Sequence, residues 1–95
     1  MTDLLTLIIV TPSKEYCYEN CDSVRLCIND GIKGNEGGSY GIRYGHAKAL
    51  LSVAEGSISA FSNGKQILYA KISTGFADVD KGLITVVAKY LEEKE

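Results

Sequence analysis

The residues best placed to do chemistry lie within 37–51, where the chain reads GGSYGIRYGHAKALL. Gly37, Gly38, Gly41 and Gly45 surround Tyr40, Arg43, Tyr44 and His46, with Ile42 as the apolar residue among them. The stretch has no helical period and no clean strand alternation. Glycine lifts the steric penalty on positive φ and lets two backbones approach closely. Such special geometry concentrates where a surface is used. His46 is the single histidine. A general base or an activated nucleophile needs a second group within hydrogen-bond reach. No serine–histidine–acid set can be assigned here. A phosphate loop would need Gly-Lys-Ser/Thr leading into a helix. Gly64-Lys65 is followed by Gln66, and the spacing of Gly31, Gly34, Gly37 and Gly38 matches no dinucleotide fingerprint. What remains is recognition. Tyrosine suits places that are apolar on one side and wet on the other, and Arg and Tyr are common binding anchors. Tyr40 and Tyr44 beside Ile42 and Arg43 point to a protein-contacting surface rather than an active site.

The other chemistry-bearing residues read more plainly. Cys17, Cys21 and Cys27 form no CxxC pair and the histidine is distant in sequence, so three free thiols are expected rather than a zinc site. Asp78 and Asp80 share one face if they lie on a strand. They could make a weak cation site, but a solvated strand end explains them better. No catalytic residue, cofactor, metal or small-molecule ligand is expected.

Ninety-five residues suggest one domain, and 45% hydrophobic residues suit a folded globular chain. The formal charge is −2 and the ten Lys and Arg residues are scattered, so no nucleic-acid partner is expected. The same scatter argues against binding an anionic membrane directly. The apolar run 7–10 is far shorter than the ~20 residues of a spanning helix. Asp3 and the lack of an N-terminal basic cluster argue against a signal peptide, which leads to the expectation of a cytoplasmic protein.

The elements that must position these residues are strands. Residues 5–11 read as a strand stopped by Pro12, and 16–18 as a short second one. Residues 23–28 alternate, with Val24, Leu26 and Ile28 on one face and Arg25 and Cys27 on the other. Residues 29–38 carry Asp-Gly, Lys-Gly and Gly-Gly pairs and read as a loop. Residues 49–53 and 57–62 read as two strands broken at Glu55-Gly56. Asn63-Gly64 then predicts a type I′ hairpin into 66–73. Short strands follow at 76–79 and 83–88. Residues 89–95 are rich in helix formers and form a short charged tail, expected to begin a helix. The spacing of turn signals predicts an all-β antiparallel sandwich or barrel over residues 1–88.

The segment Gly41-Ile42-Arg43-Tyr44-Gly45-His46-Ala47, with Leu50-Leu51 after it, resembles the epsilon subunit of F-type rotary ATP synthases, whose pattern there is close to G-E-L-G-I-x-P-G-H-A-P-L-L. Val10-Thr11-Pro12, Tyr18-Glu19 and Asp22-Ser23-Val24 match the family's opening. Ile72-Ser73-Thr74-Gly75-Phe76, Val79 and Ile84-Thr85-Val86 resemble its ending. The resemblance implies a sandwich of about ten short strands, the N-terminal domain of that subunit. It also implies a non-catalytic place in the rotor's central stalk, with the gamma subunit and the c-ring as partners, coupling ion translocation to ATP synthesis. The protein would then sit peripherally on the cytoplasmic side of the inner (plasma) membrane, without inserting into it. The contact residues expected on this basis are Ser39, Tyr40, Ile42, Arg43, Tyr44 and His46, with Thr11 nearby on the gamma side. Departures fall at the same corner: Ser39 stands for the family's acid, Tyr44 and Lys48 for its prolines, and 29–38 is an insertion. The family continues into a C-terminal helical hairpin that carries inhibition, and this sequence ends where its first helix would begin. A stand-alone sandwich that binds a ligand or peptide through residues 29–38 is the alternative reading.

Overall fold

The computed structural model describes residues 4–28, 39–45 and 47–93. The expected loop 29–38, His46, and the side chains of Ile28, Ser39 and Tyr40 lie outside the described residues. Nine strands and no helix are found among those described: β1 Leu5–Val10, β2 Glu15–Cys21, β3 Ser23–Ile28, β4 Ser39–Arg43, β5 Ala49–Ser62, β6 Lys65–Ile72, β7 Gly75–Asp80, β8 Leu83–Ala88 and β9 Leu91–Glu93. They join in the order β2-β1-β8-β7-β5-β3-β4, with β6 attached to β5 and β9 to β6. All pairs are antiparallel except β1 and β8, which run parallel from Thr6↔Leu83 to Val10↔Val87.

Strand β5 turns this ladder into a sandwich. Its first half pairs with β7, from Ala49↔Val79 to Val53↔Gly75. Its second half pairs with β6, from Gly56↔Ile72 to Ser62↔Lys65. The buried parity changes between the halves: Val53 is buried in the first, Ile58 and Ala60 in the second. Side chains on a strand alternate strictly, so the change requires an irregularity between them. The β3–β5 register shifts there, between Leu26↔Ile58 and Ile28↔Val53. One strand thereby gives inward-facing residues to both layers. The break expected at Glu55-Gly56 is therefore a bend inside one strand rather than a turn between two. Gly56 sits at that bend, where a Cβ would stand 2.8 Å from Cys27 Sγ, so a larger residue there would require Cys27 to shift.

The core is built from alternate residues of each strand, as the pattern of 23–28 predicts for β3. Leu5, Leu7 and Ile9 of β1, Val24 and Leu26 of β3, Leu68, Ala70 and Ile72 of β6, and Ile84, Val86 and Ala88 of β8 all face inward. Asn63-Gly64 turns as expected, with φ of 53° and 75°.

The tail differs from expectation. Residues 91–93 form β9, paired with β6 through Ile72↔Leu91 and Ala70↔Glu93. Leu91 packs on the core. A helix of one or two turns has little stability of its own, whereas a strand here gains ladder partners and an apolar contact. Tyr18 Oη donates to Glu93 Oε1 at 3.3 Å, joining β2 to β9, the outer strands of the two layers.

Candidate docking surfaces

The expected contact residues separate into three groups. Ile42 is fully buried in the core. Its neighbours on β4 pair with β3, Arg43↔Ser23 and Gly41↔Arg25, which turns Ile42 inward beside Val24. Ile42 therefore anchors the strand and offers nothing to a partner, which corrects its expected role.

Thr11 is also buried, and it closes the β1–β2 turn. Its Oγ1 donates to Lys14 O at 2.8 Å and accepts from Lys14 N at 3.1 Å. It sits at the end of β1 away from Tyr44. Tyr44 lies against Gly82, whose carbonyl accepts the Thr6 N–H at 2.8 Å, near the start of β1. Five residues of extended strand separate Thr6 from Thr11, roughly 17 Å at ~3.3 Å per residue. Thr11 thus does not adjoin the glycine-rich corner as expected.

Arg43 and Tyr44 are exposed at that corner. Tyr44, Gly45, Lys48, Asp80 and Lys81 line a cleft of about 390 Å³. Gly82 at φ +80° brings the β7–β8 turn under the Tyr44 ring, where a Cβ would stand 2.8 Å from Cε1. Lys48 Nζ and Asp80 Oδ2 are 3.9 Å apart and well exposed, a pair that adds little to stability.

An apolar group of side chains lies elsewhere, on the outer face of β1, β8, β7 and the first half of β5. Val10 pairs with Val87 and Val87 with Phe76, while Leu50 is diagonal to Phe76 through its pairing with Asp78. Leu50 is 72% exposed, Phe76 59% and Val87 52%. Ile8 and Val10, half-buried, continue the patch toward β2. A lone exposed leucine needs no explanation, but a contiguous apolar patch marks a surface that is covered in use. Sequence reasoning saw only one face of these strands. The available signal was the near-continuous apolar runs LIIV in β1 and ITVVA in β8, because strands covered on both faces lose their alternation.

Two tyrosines are held by carboxylates at the rim of the fold. Burial and then the Glu93 carboxylate push the Tyr18 phenol up to about 12. The hydrogen bond to Glu55 raises Tyr90, whose Oη donates to Glu55 Oε2 at 2.7 Å. These are structural contacts. Cys17 is exposed, Cys21 buried and Cys27 half-buried. Among the described residues no group of three His, Cys, Asp or Glu side chains is placed to hold a metal, and no helix is long and apolar enough to cross a membrane.

A bent-strand sandwich with one apolar outer face is the setting in which the sequence match becomes decisive. Residues 4–94 match the family described as ATP synthase, Delta/Epsilon chain, beta-sandwich domain. The chain belongs to this family. It is 36% identical over 95 residues to ATP synthase epsilon chains of two Nitratidesulfovibrio vulgaris strains, DP4 and Hildenborough. It spans 65% of the length of those relatives. Among solved structures, a chain in the Euglena gracilis mitochondrial ATP synthase (OSCP/F1/c-ring, rotational state 1) superposes with a TM-score of 0.79 at 18% identity, over 98% of this chain and 55% of that one. A chain of the Tetrahymena thermophila mitochondrial ATP synthase central stalk and c-ring gives 0.71 at 14% identity, over 92% and 64%. At these identities the superpositions establish the fold. The delta/epsilon sandwich expected from the glycine-rich corner is therefore the fold of this chain, with one parallel strand pair in an otherwise antiparallel arrangement.

Proposed function

We propose that this delta/epsilon-family domain is a non-catalytic rotor subunit of an ATP synthase. It binds the gamma subunit and the c-ring, and it carries torque between them so that ion translocation is coupled to ATP synthesis. The observation that carries the reading is the apolar face built by Leu50, Phe76, Val87 and Val10. Side chains this apolar on a small sandwich call for a permanent protein cover. Gamma is the occupant we assign to it. The c-ring contact is assigned to the corner of Arg43 and Tyr44, with Ser39, Tyr40 and His46 of the same sequence segment. Mechanically, the domain acts by adhesion: a hydrogen-bonded double layer resists shear, and stable interfaces bury roughly 1,200–2,000 Å². In this reading it works at the cytoplasmic side of the inner (plasma) membrane, as a peripheral part of the complex.

The test is co-elution. The chain and the gamma subunit of the same source, mixed at micromolar concentration, should leave a size-exclusion column as one complex. Separate elution of two folded proteins would overturn the assignment.

A further inference from the structure

The opposite layer carries a second surface of different chemistry. Arg25 pairs with Gly41 and Arg43 with Ser23 across β3 and β4. Val24, Leu26 and Ile42 are buried, so positions 23, 25, 41 and 43 all face outward. The two arginines are diagonal neighbours, with Cβ atoms roughly 7 Å apart. Both are exposed, and neither guanidinium has a hydrogen-bond or ion-pair partner among the described residues. Two guanidinium groups on adjacent outward positions repel each other unless an anion lies between them.

The surroundings form a cleft of about 460 Å³, lined by Asp22, Ser23, Arg25, Arg43, Phe61 and Gly64. Phe61, half-buried, pairs with Ser23, and Ser59 with Arg25, so small residues leave a low floor beside one aromatic wall. The cleft is held rigidly. Asp22 N donates to Phe61 O at 2.7 Å, Gly64 N donates to Asp22 Oδ2 at 3.1 Å, and Ser62 Oγ donates to Asn20 O at 2.7 Å.

We infer that this cleft docks a glutamate-bearing segment of a protein partner, with the Arg25 and Arg43 guanidiniums gripping its carboxylates and Phe61 covering the aliphatic stem. Arginine's planar fork matches a carboxylate bidentately. A phosphate fits less well. The Gly64 N–H is already given to Asp22. This surface shares Arg43 with the corner assigned to the c-ring but stands apart from the apolar face proposed to meet gamma, so the gamma reading and this one do not depend on each other.

The experiment is an amide NMR titration of the full chain with an N-acetylated hexaglutamate peptide at low salt. Saturable shifts are expected at Ser23, Arg25, Arg43 and Gly64, and not at Phe76 or Val87. Arg25→Gln and Arg43→Gln should each weaken binding roughly tenfold, the double variant should abolish it, and added salt should weaken it throughout. Both side chains are exposed, so the variants keep the native spectrum, which the same data check. Absence of saturable shifts, or unchanged affinity in both variants, overturns the proposal. So does inorganic phosphate shifting the same amides as strongly. Gamma co-elution is measured separately, so failure of one assignment does not mask the other.

Discussion

Phe76 and Val87 face each other directly across β7 and β8, and both side chains are more than half exposed, at 59% and 52%. A cross-strand apolar pair is ordinarily stabilised by burial against a second layer. In the proposed function the second layer comes from the gamma subunit. Replacing both with serine should leave the isolated domain within about 0.5 kcal/mol of its original stability, as for other surface changes. It should weaken gamma binding roughly tenfold or more, since each large apolar side chain contributes about 1.5–3 kcal/mol when fully buried. Urea denaturation and titration calorimetry read the two effects separately. Destabilisation with unchanged affinity would be the opposite result.

Ile42 and Arg43 are adjacent in sequence and opposite in role. Ile42→Ala should cost about 2–5 kcal/mol of folding stability, because the side chain fills a closed core. Arg43→Ala should cost less than about 0.5 kcal/mol. Denaturant midpoints of the two variants check this. A mild Ile42 variant would restore it as a surface contact.

Ser73 ties the far end of the sandwich. Its buried Oγ accepts from Lys89 N at 2.7 Å and Tyr90 N at 3.3 Å, and donates to Thr74 O at 3.1 Å. Ser73→Ala leaves two backbone donors without this acceptor, which should cost about 1–3 kcal/mol. Amide exchange at Lys89 and Tyr90 should accelerate well beyond that of the β1–β8 ladder.

Tyr18 sets an alkaline limb. Its folded phenol is raised from the ordinary 10.0 to about 12 by burial and Glu93. The unfolded chain gives up this proton first, so the contribution is fully present below pH 10 and is lost as pH rises from about 10 to 12. Absorbance titration at the tyrosinate band should show a late-titrating phenol that Tyr18→Phe removes. The variant should also lose stability less steeply over that pH range, with Tyr90 contributing to what remains.

Much of the fold was legible in the sequence. Period-two alternation marked the inward residues Val24 and Leu26 of β3, and Asn63-Gly64 marked its hairpin, because both signals are local. The single 14-residue β5 was not legible. Glu55-Gly56 looks like a break, and only pairing to β7 on one side and β6 on the other shows that the strand continues. The helix expected in the tail failed for a related reason: the propensity of Lys, Leu and Glu is local, while the ladder offered by Ile72 and Ala70 is not.

The sequence by itself determined that this chain is an all-β domain of the delta/epsilon type, with a glycine-rich corner near Tyr44. Side-chain period and ordered motifs do not depend on distant partners. Only the tertiary structure decided which residues that fold turns outward. It buried Ile42, sent Thr11 to the far end of β1, and gathered Leu50, Phe76, Val87 and Val10 from four separate strands into one apolar face. A surface is made by register between strands far apart in sequence, and register is fixed only when the layers close on their core.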